Sequence, residues 1–257
     1  RQGYGTAIYV NETYEFDDKM FNFKKNPPLV PYKENEVGSY RRTFTVPAGW
    51  KGRRVVLCCE GVISFYYVWV NGHLLGYNQG SKTAAEWDIT DQLEEGENTI
   101  ALEVYRWSSG SYLECQDMWR LSGIERDVYL YSQPKAALKD FRITSTLDDS
   151  YKNGVFALNV DLRNHRPAAT TLTLAYELLD AQGKVVATEE KTTYVPVNET
   201  RTLSFDKNLT DVHTWTSEHP NLYKLVMTVK EEGKVNEIIP FNVGFRRIEI
   251  KPMDQKA

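Results

Sequence analysis

No stretch of this 257-residue chain keeps up the 3.6-residue spacing of apolar side chains that an amphipathic helix needs. That constrains the fold more than any other feature. Short alternating or β-branched runs recur instead, at residues 40–46, 54–59, 65–70, 99–105 and 128–131. Gly, Pro, Asn and Asp separate them, a pattern that predicts an all-β fold. The clearest hairpin lies at 66–77, where Asn71-Gly72 supplies the two positive-φ residues of a type I′ turn. Residues 88–93 suit one helical turn, and residues 94–98 suit the turn that returns the chain to the next strand.

The texture changes at the Ser-Gln-Pro-Lys-Ala-Ala segment, residues 132–137, a short linker of the kind that joins domains. We therefore expect one β-sandwich over residues 1–133, a second over 134–250, and the start of a further linker at 251–257. The second stretch offers strand runs at 139–146, 154–163, 171–179, 184–193, 200–205, 222–230 and 234–243. Seven short strands over about 110 residues predict an immunoglobulin-like sandwich. Antibody domains pin such a core with a cysteine pair, which this stretch lacks. The core is therefore expected to rest on Phe156, Leu158, Leu172, Leu174, Phe205 and Leu225.

Composition narrows the function classes. Hydrophobic residues make up 41% and charged residues 26%, and no apolar run approaches the roughly 18 residues of a membrane-spanning helix. A net charge of -4 gives no electrostatic reason to expect nucleic acid or an anionic membrane as partner. Three cysteines, Cys58, Cys59 and Cys115, do not make a disulfide framework, because neighbours on a strand point to opposite faces. All three are expected as free thiols. Four histidines with no Cys-x-x-Cys spacing argue against zinc. No targeting segment is visible, so cytoplasmic and periplasmic compartments both stay open.

One loop stands apart. Residues 106–128 read RWSSGSYLECQDMWRLSGIERDV, a Ser/Gly-rich connection far longer than a sandwich turn requires. Trp107, Tyr112, Glu114, Gln116, Asp117, Trp119 and Arg120 mix flat apolar faces with fixed donors and acceptors, which suits a sugar ring. From the residues alone, Asp117 could equally pair with Arg120 or Arg126. Large aromatics such as Trp107 and Trp119 serve as packing more often than as sugar platforms. Glu114 and Arg120 read as loop braces, and His73 as a solvated turn residue.

This loop closely resembles the corresponding segment of the β-galactosidases of glycoside hydrolase family 2. Further matches follow in the family's order: Asn26-Pro-Pro-Leu-Val-Pro31, Val68-Trp-Val-Asn-Gly72, Glu86-Trp-Asp88, the Trp-Thr-Ser-Glu-His-Pro-Asn-Leu-Tyr run at 215–223, and Val243-Gly-Phe-Arg246. The resemblance implies a jelly-roll sugar-binding domain, shortened at its amino terminus, followed by an immunoglobulin-like domain. In the family, Val-Gly-Phe-Arg precedes a (β/α)8 barrel that carries the two catalytic glutamates. A retaining glycosidase needs its two carboxyls roughly 5 to 5.5 Å apart. This chain offers no such pair and is expected to be inactive alone.

The resemblance assigns Asn26 and Asp117 to substrate contact in a complete β-galactosidase, and Asp117 also to a sodium ion whose other ligands belong to the missing barrel. It places Trp119 against the sugar or the barrel, while Trp107, as a large aromatic in a sandwich, is expected in the core. It implies magnesium as well, at a glutamine matching Gln79 and an aspartate. The aspartate's position is Ser109 here, so no metal is expected in this fragment. Expected partners are a β-galactoside substrate, the catalytic barrel and further copies of the parent enzyme. Two competing readings remain: an autonomous carbohydrate-binding or adhesion module, and a related β-glucuronidase or β-mannosidase.

Overall fold

The computed structural model describes residues 14, 16, 23–114 and 121–250, together with the backbone of 8–9 and 119–120. It divides into two compact units, Arg1–Ser132 and Gln133–Ala257. Both are built from strands, as the spacing of the apolar runs predicts.

The first unit contains β1 (Ile8–Tyr9), β2 (Val37–Thr45), β3 (Arg54–Cys59), β4 (Val62–Ile63), β5 (Phe65–Val70), β6 (His73–Asn78), β7 (Ala85–Asp88), β8 (Glu97–Tyr105), β9 (Trp119–Arg120), β10 (Gly123–Ile124) and β11 (Val128–Gln133). One short helix, α1 (Ser111–Glu114), interrupts them. A four-stranded sheet in the order β2-β8-β5-β6 and a three-stranded sheet in the order β11-β3-β7 form the body. Along β5, Tyr66, Val68 and Val70 are buried while Phe65, Tyr67 and Trp69 are not, the period-2 signature of a strand with one face inward. The inward residues pack with Val55, Leu57 and Cys59 of β3 and with Leu102 and Val104 of β8, forming one core. The β5–β6 hairpin turns at Asn71 and Gly72, with φ of 49° and 80°, as the Asn-Gly pair demands. The Asn71 side chain fixes the turn: its Nδ2 donates to the Gln92 carbonyl and to Asn98 Oδ1, both at 2.8 Å, and its Oδ1 accepts from the Thr99 N–H. The helical turn expected at 88–93 is a 3₁₀ turn at Thr90–Gln92.

The second unit contains β12 (Ala136–Leu147), β13 (Gly154–Asn164), β14 (Thr170–Leu179), β15 (Val185–Val195), β16 (Thr200–Leu209), β17 (Tyr223–Glu231) and β18 (Lys234–Val243). Three strands in the order β12-β13-β16 face four in the order β15-β14-β17-β18. Burial alternates without a break along β13, so every second side chain enters the core. Phe156, Leu158, Leu172, Leu174, Phe205 and Leu225, the expected core, are all 1% exposed or less. Tyr176 sits among them, its ring 5.6 Å from Phe156 and 5.3 Å from Phe205. Gly154 opens β13 where a Cβ would lie 2.9 Å from the Phe245 ring, which explains the missing side chain.

Cys58 and Cys59 are free and buried, as expected of neighbours on one strand, while Cys115 lies outside the described residues. Burial pushes the Cys59 thiol up to about 11, so it stays protonated and inert at neutral pH. Among the described residues no helix is long and apolar enough to cross a membrane.

Candidate functional site

The loop that follows β8 is held from several sides. Arg106, Trp107 and Ser108 are buried at its root. Asn35 clamps the Trp107 backbone with both ends of its amide, Nδ2 donating to the carbonyl and Oδ1 accepting from the N–H, each at 2.9 Å. Next to it, Glu36 pairs with Arg106 Nη1 at 2.8 Å. The Ser64 hydroxyl donates to the Ser108 hydroxyl at 3.1 Å inside the protein. A buried polar group costs free energy unless it finds a partner, so this set of matched donors and acceptors fixes how the loop leaves the sheet.

Beyond the root, the chain forms α1. The Ser111 hydroxyl accepts from the Ser108 N–H at 3.0 Å. The Glu114 carboxylate accepts from both the backbone N–H and the hydroxyl of Ser81, making it a brace between two loops, as its position in the motif suggests. The Tyr112 ring packs 5.3 Å from Phe16 and 5.0 Å from Tyr14, and Phe16, only 1% exposed, also meets Trp107 at 5.5 Å. Trp107 is thus a core residue at 4% exposure, in line with the packing role expected of it.

Tyr112 links this loop to a second one. Its hydroxyl accepts from the Asn26 N–H at 3.2 Å and donates to the Leu29 carbonyl at 2.5 Å. The residues between close a tight turn, with the Leu29 N–H donating to the Asn26 carbonyl at 2.8 Å and a cis bond joining Pro27 to Pro28. The two prolines restrict the backbone of this segment, and a single phenol spans its mouth. Asn26 is exposed, and its side chain makes no hydrogen bond among the described residues. Its amide is therefore available to donate and to accept.

Asp117 lies outside the described residues, with Gln116 and Met118 beside it. The backbone of Trp119 lies in β9, opposite Tyr9. His73 is exposed at the hairpin turn. Among the described residues no cluster of His, Cys, Asp or Glu could hold a metal ion. Gln79 does run beside the Ser109–Gly110 turn, since a Cβ on Gly110 would lie 3.7 Å from the Gln79 carbonyl. An amide and a hydroxyl are neutral donors, however, and a hard dication selects carboxylates, so these two residues do not fit magnesium. The sequence pattern alone does not reveal Asn35, Glu36, Ser64, Ser81 or Phe16 as supports of the loop. Only Asn35 carries a hint, as a polar residue in a short non-periodic stretch after Pro31.

Comparison with known proteins adds a family to this geometry. Residues 1–134 match the model of the glycosyl hydrolases family 2 sugar binding domain, and residues 136–246 match a second glycosyl hydrolases family 2 model. The chain belongs to glycosyl hydrolase family 2. Over 252 residues it is 44% identical to a β-galactosidase of Priestia megaterium, a match covering 97% of this chain and 24% of that protein. Two further β-galactosidases, from Streptococcus thermophilus and Halalkalibacterium halodurans, are 39% and 38% identical over 97% of this chain and 23% and 24% of their own lengths. The chain thus spans about a quarter of the length of the curated relatives it matches. Among solved structures, a Bacteroides uniformis β-glucuronidase superimposes with a TM-score of 0.72 at 23% identity, covering 82% of this chain and 26% of that one. A calcium-binding mutant of Bacteroides uniformis β-glucuronidase 2 gives 0.75 at 24% identity, over 81% and 26%. At such identities these two structures speak for the fold alone.

Proposed function

We propose that this family 2 chain is the non-catalytic amino-terminal part of a retaining β-galactosidase, and that the turn at Asn26 and the loop at 106–128 form one wall of its active site. The single observation that carries this reading is the tether through Tyr112, which binds the Asn26–Leu29 turn to a loop only five residues before Asp117. Asn26, exposed and with no hydrogen bond to its amide among the described residues, hydrogen-bonds a hydroxyl of the terminal galactosyl unit. Asp117 takes a second hydroxyl and ligates a sodium ion together with groups from the catalytic domain. One carboxylate cannot supply the several oxygens that a hard cation needs. Trp119 meets the sugar or that domain. The 44% identity to a β-galactosidase over 97% of this chain supports a galactoside as substrate.

The test uses the full-length parent and a chromogenic β-galactoside. Asn26→Ala should lower kcat/KM by about tenfold or more, the loss expected when one substrate hydrogen bond disappears from a desolvated site. Tyr112→Phe keeps the ring packing and frees the turn, so it should cause a smaller loss. An Asn26→Ala parent with unchanged kcat/KM would remove Asn26 from the site. The 257-residue chain alone should show no turnover, because it lacks the catalytic carboxyls. Turnover that persists through rigorous purification would overturn the assignment as non-catalytic.

A further inference from the structure

The outward face of the β2-β8-β5-β6 sheet carries aromatic side chains where a solvated sheet normally carries polar ones. Phe65, Tyr67, Trp69, Tyr77 and Tyr105 form a connected set of rings, with Phe65 4.8 Å from Tyr67, 5.4 Å from Tyr77 and 5.6 Å from Tyr105, and Tyr67 5.8 Å from Trp69. The buried alternates Tyr66, Val68 and Val70 already fill the core, so these rings are surplus to it. Tyr77 is 61% exposed.

Register shows how the rings border a groove. Arg41, Ala101, Trp69 and Leu74 lie in one row across the four strands, through the pairs Arg41↔Ala101, Trp69↔Ala101 and Trp69↔Leu74. The next position holds Thr99, and the hairpin turn at Asn71-Gly72 closes that end. Between the tall side chains Arg41 and Trp69 the floor is therefore small: Ala101, Thr99 and Gly72. The result is a groove of about 360 Å³ lined by Arg41, Trp69, Asn71, Gly72, Thr99 and Ala101. That volume lies at the small end of the range for ligand sites.

The chemistry of the walls selects the occupant. An indole edges one side, the guanidinium fork of an exposed Arg41 with no ion pair among the described residues edges the other, and no carboxylate lines the groove. Asn71 is spent on its own turn. A pyranose presents an apolar C–H face to an aromatic ring and a rim of hydroxyls that accept from N–H donors, which matches this pair of walls. We propose that this groove is a second carbohydrate site, separate from the Asn26 loop. It binds one pyranose of a β-linked oligosaccharide against Trp69 and Arg41, with the Tyr67–Tyr77 row taking the adjoining sugar.

The proposal is tested by titrating the ¹⁵N-labelled 257-residue chain with a β-linked galactotetraose and, separately, a β-linked glucotetraose, up to about 10 mM, a range that reaches the weak affinities expected of an open groove. The expected result is a saturable shift of the Trp69 indole N–H and of the Thr99 and Ala101 amides with at least one of the two sugars. Trp69→Ala should weaken binding about tenfold, the loss of one stacking surface. Arg41→Ala, at an exposed position that the fold does not depend on, should weaken it several-fold. Asn26→Ala should leave it unchanged, which separates this site from the galactosyl wall proposed above. Shifts confined to the Asn26–Tyr112 region, binding untouched by both groove variants, or no shift with either sugar would each overturn the proposal.

Discussion

The two units solve the same problem, closing two sheets over one core, with different use of their polar residues. In the second unit the strands are nine to twelve residues long and burial alternates cleanly, as along β13 and β14. The first unit has several strands of only two to six residues and a long connection after β8. The buried polar residues divide unequally: Ser64, Ser81, Asn98, Arg106 and Ser108 lie in the first unit, and Asn164 alone in the second, among the described residues. Four of the first five sit at or against the loop that carries the family motif. Long alternating strands make a stable body, whereas buried polar pairs hold an irregular loop in one conformation at a cost in core regularity. Loops held on a rigid scaffold are where binding residues concentrate. This contrast is what the proposed site in the first unit would require.

The contrast breaks most visibly at the core. Leu158 lies in the central strand of its sheet, fully buried. Leu158→Ala should destabilise the second unit by about 2–5 kcal/mol. Five of the six tryptophans lie in the first unit and only Trp215 in the second. Tryptophan emission during urea unfolding therefore reports mostly on the first unit, while far-UV circular dichroism reports on both. The expected outcome is an early circular-dichroism phase with little change in emission. An emission midpoint that moves as far as the circular-dichroism midpoint would show the two units unfolding as one.

A smaller effect should come from the loop root. Asn35→Ala removes both hydrogen bonds to the Trp107 backbone and leaves a buried N–H and carbonyl without them. Leaving such groups unpaired costs about 1–3 kcal/mol. The loss should fall on the first unit, and therefore on the emission midpoint. If Asn35→Ala instead left emission unmoved, the loop would be held by its aromatic packing and the argument from buried polar pairs would fail.

Much of this was readable in the sequence, and the reason is local. Strands at 54–59 and 65–70 coincide with the apolar runs: alternation along 65–70 leaves one register that buries the right face, whereas the unbroken apolar run 55–59 is buried at every position. Asn71-Gly72 announced its turn through backbone preference alone. Several short elements escaped. β7, Ala85–Asp88, holds two acids in four residues and looks like loop until its pairing with β3 is seen. β4 and β10 are two-residue partners of each other, too short to carry a period. α1 depends on Glu114 reaching Ser81, 33 positions away, and the Tyr112 tether reaches back 86 positions to Asn26. Sequence marks a residue such as Asn26 as chemically suited to a sugar, but the partner that steadies its turn is a tertiary fact.

The smallest effect sharpens the comparison from the other side, since the second unit also owns one polar cluster at its edge. Glu231 ends β17, and its carboxylate accepts from both Nη atoms of Arg166 at 2.5 and 2.6 Å and from the Thr170 hydroxyl at 2.5 Å. Partial burial pulls its pKa upward, but the Thr170, Asn236 and Arg166 contacts outweigh that and hold it below its usual 4.5. A folded pKa below the unfolded value means that folding binds the deprotonated form. The resulting stability is fully present above about pH 5 and is lost as pH falls through the folded pKa. Glu231→Gln abolishes the titration, so the circular-dichroism midpoint of the variant should fall less steeply between about pH 5 and pH 3 than that of the wild type. Arg166 is 38% exposed, which screens the pair and keeps the difference modest. Acid limbs that coincide for variant and wild type would mean that the cluster contributes geometry at the strand end rather than stability. The stability of the second unit would then draw nothing measurable from this cluster.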